Sequence, residues 1–112
     1  MMQFNLLKTP IFSKFRAAWL YRRGMAQAKL HKNQLAIADY TAVIEMAEAP
    51  ASIRAMALYN RALVYYCTSS ESKAVDDLNK VLKMTGAAEH VRMEATRKLV
   101  RMKRTSNRTD CR

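Results

Sequence analysis

The sequence predicts an all-α chain, and three observations carry that expectation. Sliding the 112 residues by 38 positions lays residues 17–46 over residues 55–84. Ala17/Ala55, Leu20/Leu58, Tyr21/Tyr59, Arg23/Arg61, Ala36/Ala74, Asp39/Asp77, Val43/Val81 and Met46/Met84 are then identical, and a period of roughly 20 to 50 residues marks a repeat architecture. Two Gly and two Pro against eight Met favour helices and leave few turn residues for a sheet. Apolar residues also recur at helical spacings of three and four. The length suits one modest core and no second one.

Taken in order, the elements are about five helices. Thr9-Pro10 reads as an N-cap and first-turn pair, because Pro lacks the amide that would be unpaired there. Phe12, Phe15, Trp19, Ala26 and Leu30 then form a bulky stripe on a helix running to about Lys32, and such a stripe is expected in the core. Asn33 is placed to cap a second helix with Leu35, Ile37, Tyr40, Val43, Ile44 and Met46 inward. The connection is so short that the two helices must lie antiparallel.

Pro50 marks the break before the second copy. A helix over about residues 52–67 repeats the first, with Ile53, Ala57, Leu63 and Val64 inward. Thr68 and Glu71 have capping-box spacing, and a fourth helix follows with Ala74, Val75, Leu78, Val81 and Leu82 inward. Thr85-Gly86 ends it, Gly suiting a left-handed residue. From Ala88 the echo continues as a fifth helix, whose stripe Ala88, Val91, Ala95, Leu99 and Met102 lies roughly opposite Arg97, Arg101, Arg104 and Arg108. The domain plan is an apolar and basic segment over 1–9, a repeat domain over 10–104 and a disordered tail over 105–112. Within the domain the first repeat covers about 10–47, the second about 52–85 and a closing helix about 88–104.

Twenty Lys and Arg against nine Asp and Glu give a net charge of +11, concentrated at the ends. Residues 1–38 carry seven bases and no acid, and residues 90–112 carry eight bases against Glu94 and Asp110. Such ends suit RNA, an anionic surface or an acidic partner. Met1 to Phe15 mixes apolar residues with Lys8 and Lys14 in the manner of an organelle-targeting peptide, but no Arg precedes Arg16. The segment is read instead as a cover for the end of the core. Cys67 and Cys111 lie far apart and build no disulfide framework or metal cluster, which suits a reducing compartment and a cytoplasmic location. No apolar run reaches the roughly 18 residues of a membrane span.

The duplicated hairpin resembles the tetratricopeptide repeat family. Gly24, Ala36 and Tyr40 in copy one, and Ala62, Tyr65, Ala74 and Leu78 in copy two, fit its alternation of small and large positions. The segments from Leu20 to Gly24 and from Leu58 to Ala62 resemble a variant with Arg before the small residue. The match covers residues 15–104. Its period of 38 exceeds the family's 34, and Glu48 and Gly86 stand where a terminal Pro is usual. The extra residues are expected to lengthen each first helix by about one turn. Two repeats also fall below the about three that a stable array needs, so the N-terminal segment or a second copy is expected to complete the core.

The resemblance implies a right-handed superhelix of stacked hairpins and a protein-interaction scaffold or adaptor that receives a peptide or partner helix in a concave groove. It assigns that groove to Ala18, Tyr21, Met25, Ala28 and Lys29, then Met56, Tyr59, Leu63, Tyr66 and Cys67, with Arg97 and Arg101 continuing the wall. Tyr21 and Met25 stand where one subclass carries the first residues of a carboxylate clamp, so a clamp is not expected despite Asn60 and Lys98. The alternatives are RNA binding through Arg97, Arg101, Arg104 and Arg108, without a base-reading motif, and a self-associating subunit, a homodimer in the simplest case. No catalytic residues, metal ligands or cofactors are expected. His31 and His90 lack metal-ligand spacing, two isolated glycines form no phosphate loop, and Asp76 and Asp77 diverge by about 100° around a helix.

Overall fold

The computed structural model describes residues 10–104, so the expectations for residues 1–9 and 105–112, Arg108 included, lie outside it. The described chain is all-α, with α1 (Pro10–Lys29), α2 (Asn33–Ile44), α3 (Ala51–Cys67), α4 (Glu71–Lys83) and α5 (Glu89–Arg104). No strand occurs among the described residues. α3 and α5 begin within one residue of the expected starts near 52 and 88. α1 stops at Lys29, short of Lys32.

The turn inside each hairpin repeats with the sequence. His31 and Ser69, 38 positions apart, adopt left-handed backbone at φ 60 and φ 65. The following amide reaches back in both, Lys32 N–H donating to the Gln27 carbonyl at 2.9 Å and Ser70 N–H to the Tyr65 carbonyl at 2.8 Å. Closing a helix this way ordinarily uses Gly. The expected side-chain caps do not form: Lys32 rather than Asn33 holds the N-cap of α2, and neither it nor Ser70 caps through its side chain. Thr68 instead donates its hydroxyl backwards to the carbonyls of Val64 and Tyr65, at 3.0 and 3.2 Å. Such local bonding competes with capping.

The turns between hairpins match as well. Ala49 and Ala87 are buried equivalents whose amides donate to the Met46 and Met84 carbonyls, at 3.1 and 3.4 Å. Arg54 Nε donates to the Ala49 carbonyl at 3.1 Å, and its counterpart Arg92 donates through Nη2 to the Met84 and Thr85 carbonyls. Gly86 is not the left-handed terminator expected, since no glycine has positive φ. A Cβ there would collide with the Ala51 side chain, so the close pass of α3 is what demands Gly.

α3 touches every other helix. Through Ala57 and Val64, with Ile53 beside them, it packs against Ala17 and Leu20 of α1 and Ala36, Tyr40 and Val43 of α2. Through Ala55, Leu58, Ala62 and Tyr66 it packs against Ala74, Leu78 and Val81 of α4 and Val91, Ala95 and Met102 of α5. Tyr40, Leu78, Val43 and Val81 are fully buried, and full burial of a Leu or Val contributes about 1.5–3 kcal/mol each.

Small residues set the spacing within each hairpin. A Cβ on Gly24 would meet the Tyr40 ring at 2.8 Å. In the second copy the equivalent pair is Ala62 and Leu78, both fully buried. A larger residue on one helix is thus matched by a smaller one on the other.

An ion pair closes each hairpin. Arg23 Nε and Nη2 donate to Asp39 at 2.7 and 2.8 Å, and Arg61 Nε and Nη2 donate to Asp77 at 2.8 and 2.9 Å. Arg61 also donates to Thr41 Oγ1 of the preceding hairpin at 2.9 Å. Its side chain is 12% exposed, whereas that of Arg23 is 47% exposed.

The bulky stripe of α1 is not core. Phe15 is 68% exposed, Trp19 57% and Leu30 65%, and Phe12 and Ala26 are also on the surface. The buried side of α1 is Ser13, Ala17, Leu20 and Gly24, so the helix turns its smaller residues inward. Leu35 of α2 and Leu82 of α4, both expected inward, are exposed too.

Candidate functional site

α1 touches α3 and α3 touches α5, whereas α2 and α4 do not touch. The odd-numbered helices therefore form the tighter layer of the stack, the side on which a groove is expected. Charge follows the same division. α1, α3 and α5 carry thirteen Lys and Arg against Glu89 and Glu94, while α2 and α4 carry three against four acids.

Tyrosine joins the seams of this layer. The Tyr21 hydroxyl on α1 accepts a hydrogen bond from Asn60 Nδ2 of α3 at 2.9 Å, and the same amide donates to the Met56 carbonyl. Burial pushes the Tyr21 phenol above its ordinary pKa, and the Asn60 bond opposes this. Its ring lies 6.1 Å from that of Tyr40. Tyr59, the equivalent on α3, feels two groups of α5: burial raises its pKa most, Glu94 adds to the rise and Arg101 opposes it. Glu94 in turn accepts a hydrogen bond from Arg97 Nη1 at 2.6 Å.

The residues assigned to the groove divide unevenly. Tyr21, Met25, Met56, Tyr59 and Leu63 are half-buried, and Lys29, Arg97 and Arg101 are exposed. Ala18 and Ala28 are partly covered. Tyr66 is 8% exposed and sits in the core shared by α3, α4 and α5, so it is no part of an open wall. Cys67 is exposed and disulfide-bonded, where no disulfide framework is expected, so it gives a reducing compartment no support. Cys111 lies outside the described residues. Arg97, Arg101 and Arg104 line one open depression on α5 with Thr96 and Val100.

Two features escaped the sequence reading. Asn60 as the link between α1 and α3 carried no signal beyond its position one residue after Tyr59. The exposed Phe15–Trp19 face did carry one. The same face is Ile53, Ala57 and Val64 in α3 and Val91, Ala95 and Met102 in α5, so an unusually large pair at the first copy marked a different neighbourhood.

Among the described residues, no group of three or more His, Cys, Asp or Glu side chains is placed to hold a metal ion. His31 and His90 are exposed and apart. Asp77 is buried under Arg61 while Asp76 faces solvent. No helix among the described residues is long and apolar enough to cross a membrane.

No family model, curated protein or solved structure matches the chain. The fold therefore rests on its geometry, and the tetratricopeptide resemblance on the residues quoted above.

Proposed function

We propose that the chain is a non-catalytic interaction module of tetratricopeptide type, which receives a peptide or helix of a partner protein along α1, α3 and α5. The observation that carries this reading is the repeated tyrosine in the tighter layer. Tyr21 and Tyr59 occupy one position of successive first helices, half-buried with an apolar ring and a polar tip, beside the adaptable side chains of Met25, Met56 and Leu63. Tyrosine and methionine suit a surface that adjusts to its ligand. Arg97 and Arg101 give the α5 end of the wall a preference for acidic segments.

Panning random displayed peptides against the folded chain tests it. Enriched peptides should combine apolar and acidic residues and should bind about tenfold more weakly after Tyr59→Ala or Arg101→Ala, with helical circular dichroism unchanged. Failure to enrich, or binders indifferent to both substitutions, would refute it. The depression lined by Arg97, Arg101 and Arg104 favours a second reading, contact with an RNA backbone, whose affinity would fall steeply with salt. An RNA oligonucleotide that displaces the peptides, more weakly as salt rises, would select that reading.

A further inference from the structure

The three odd-numbered helices present one face at equivalent positions, and only two of these faces are covered. On α3 it is Ile53, Ala57 and Val64, packed on the first hairpin. On α5 it is Val91, Ala95 and Met102, packed on the second. On α1 it is Phe15, Trp19 and Ala26, where Phe15 is 68% and Trp19 57% exposed. Ile11, one turn earlier, is 67% exposed.

Large apolar residues gathered into one exposed patch mark an interaction surface. What fits this one is drawn by the interior copy. There the face receives α2, whose apolar stripe includes Tyr40 and Val43. Beside that stripe, Thr41 accepts a hydrogen bond from Arg61, and Glu45 lies close enough to raise the Arg61 pKa after the larger effects of Asp77. Arg23 is the α1 equivalent of Arg61, and it has an Asp39 partner but, among the described residues, no counterpart of Thr41 or Glu45. It stacks over Trp19 at 4.5 Å from the ring centroid. With Arg22, Phe15 and Ala18 these two side chains line an open depression.

Charge separates the candidate occupants. α1 carries five bases and no acid, so two copies meeting α1 to α1 would oppose like charges. The other open end, on α5, is lined by Arg97, Arg101 and Arg104, so a head-to-tail stack would do the same. We propose that the outer face of α1 is a second docking site, for an amphipathic helix of another protein whose apolar stripe is edged by Asp or Glu. That helix packs as α2 packs on α3, with small residues opposite Phe15 and Trp19, where α3 has the smaller Ile53 and Ala57. Its acids meet Arg22 and Arg23. The mode is helix recognition by spaced apolar anchors, with charge fixing the orientation and the rate of encounter.

Trp19 is the only tryptophan in the chain, so its fluorescence reports this face alone. The probe is a synthetic helical peptide with Leu and Ala on one face and Glu along both edges, titrated into the full chain. Its binding should shift Trp19 emission to the blue. With a labelled peptide, Trp19→Ala and Arg22→Glu should each weaken binding about tenfold, and Tyr59→Ala should leave it unchanged, which separates this site from the groove. The same peptide with Lys in place of Glu should not bind. An unmoved Trp19 spectrum, or binding that survives Arg22→Glu, overturns the proposal. So does emission that is already blue in the free protein, if it depends on protein concentration, which points to a second copy. Blue emission that reddens after Leu6→Asp with Leu7→Asp overturns it in favour of the chain's own first residues. An RNA oligonucleotide that shifts Trp19 as far as the peptide overturns it in favour of a polyanion.

Discussion

The two hairpins share their turns and differ in what surrounds them. Each closes around a left-handed residue, His31 or Ser69, and each is locked by an Arg–Asp pair. The second is enclosed, with Arg61 reaching Thr41 of its predecessor and α5 covering its far side. The first has no hairpin before it among the described residues, and Arg23 stands half open beside Trp19. Identical residues therefore have unequal weight. Position in the array, rather than residue type, decides whether an ion pair is buried or a stripe is core.

Breaking the ion pairs should expose this inequality most. Asp77→Ala leaves the guanidinium of Arg61 without its carboxylate at a site 12% exposed, a loss of about 3–5 kcal/mol. Asp39→Ala should produce the smaller loss, because solvent reaches Arg23. Urea unfolding of both variants measures the gap, and equal losses would erase the distinction between enclosed and terminal hairpins.

The packing of small against large residues comes next. Gly24→Ala adds a methyl 2.8 Å from the Tyr40 ring, and Tyr40 is 1% exposed and unable to retreat. Overpacking of about 1–3 kcal/mol outweighs the roughly 1 kcal/mol that Ala gains over Gly in a helix, so the variant should be destabilised. In a Tyr40→Leu background, which copies the Ala62/Leu78 arrangement, the same change should become stabilising by about 1 kcal/mol. A double-mutant cycle reads the coupling directly. Additive effects would mean that the two positions do not constrain each other.

The smallest effect belongs to what the copies hold in common. Ser69→Gly and His31→Gly each relieve a left-handed residue of its Cβ, a gain of about 1 kcal/mol. The two gains should agree, since the two turns share their hydrogen bonds. A marked difference in thermal midpoint shift would reveal that the turns carry unequal strain.

The hairpins were legible because their period is local. Helix number, the short connections and the inward Tyr40, Val43, Ala74 and Val81 all follow from spacing within one copy. Trp19 was misread for a physical reason. Periodicity identifies the apolar face of a helix but not what covers it, and at the first copy the covering element of the interior copy has no equivalent among the described residues. Tyr66 was misread in the opposite direction, since α5 closes over it and the wall assignment took its register from resemblance. Gly86 looked like a turn residue because Gly often is one. Its need for space comes from Ala51, which lies far away in sequence and near only after folding.

Because α3 touches all its companions, the chain lacks the freedom of long repeat proteins to lose one unit while keeping the rest. In those arrays stability is close to a sum over neighbouring units. Here the middle helix belongs to both cores, so neither half has a complete interior once it leaves. On that geometry the five described helices are expected to unfold as one cooperative unit, because losing α3 dismantles both cores at once.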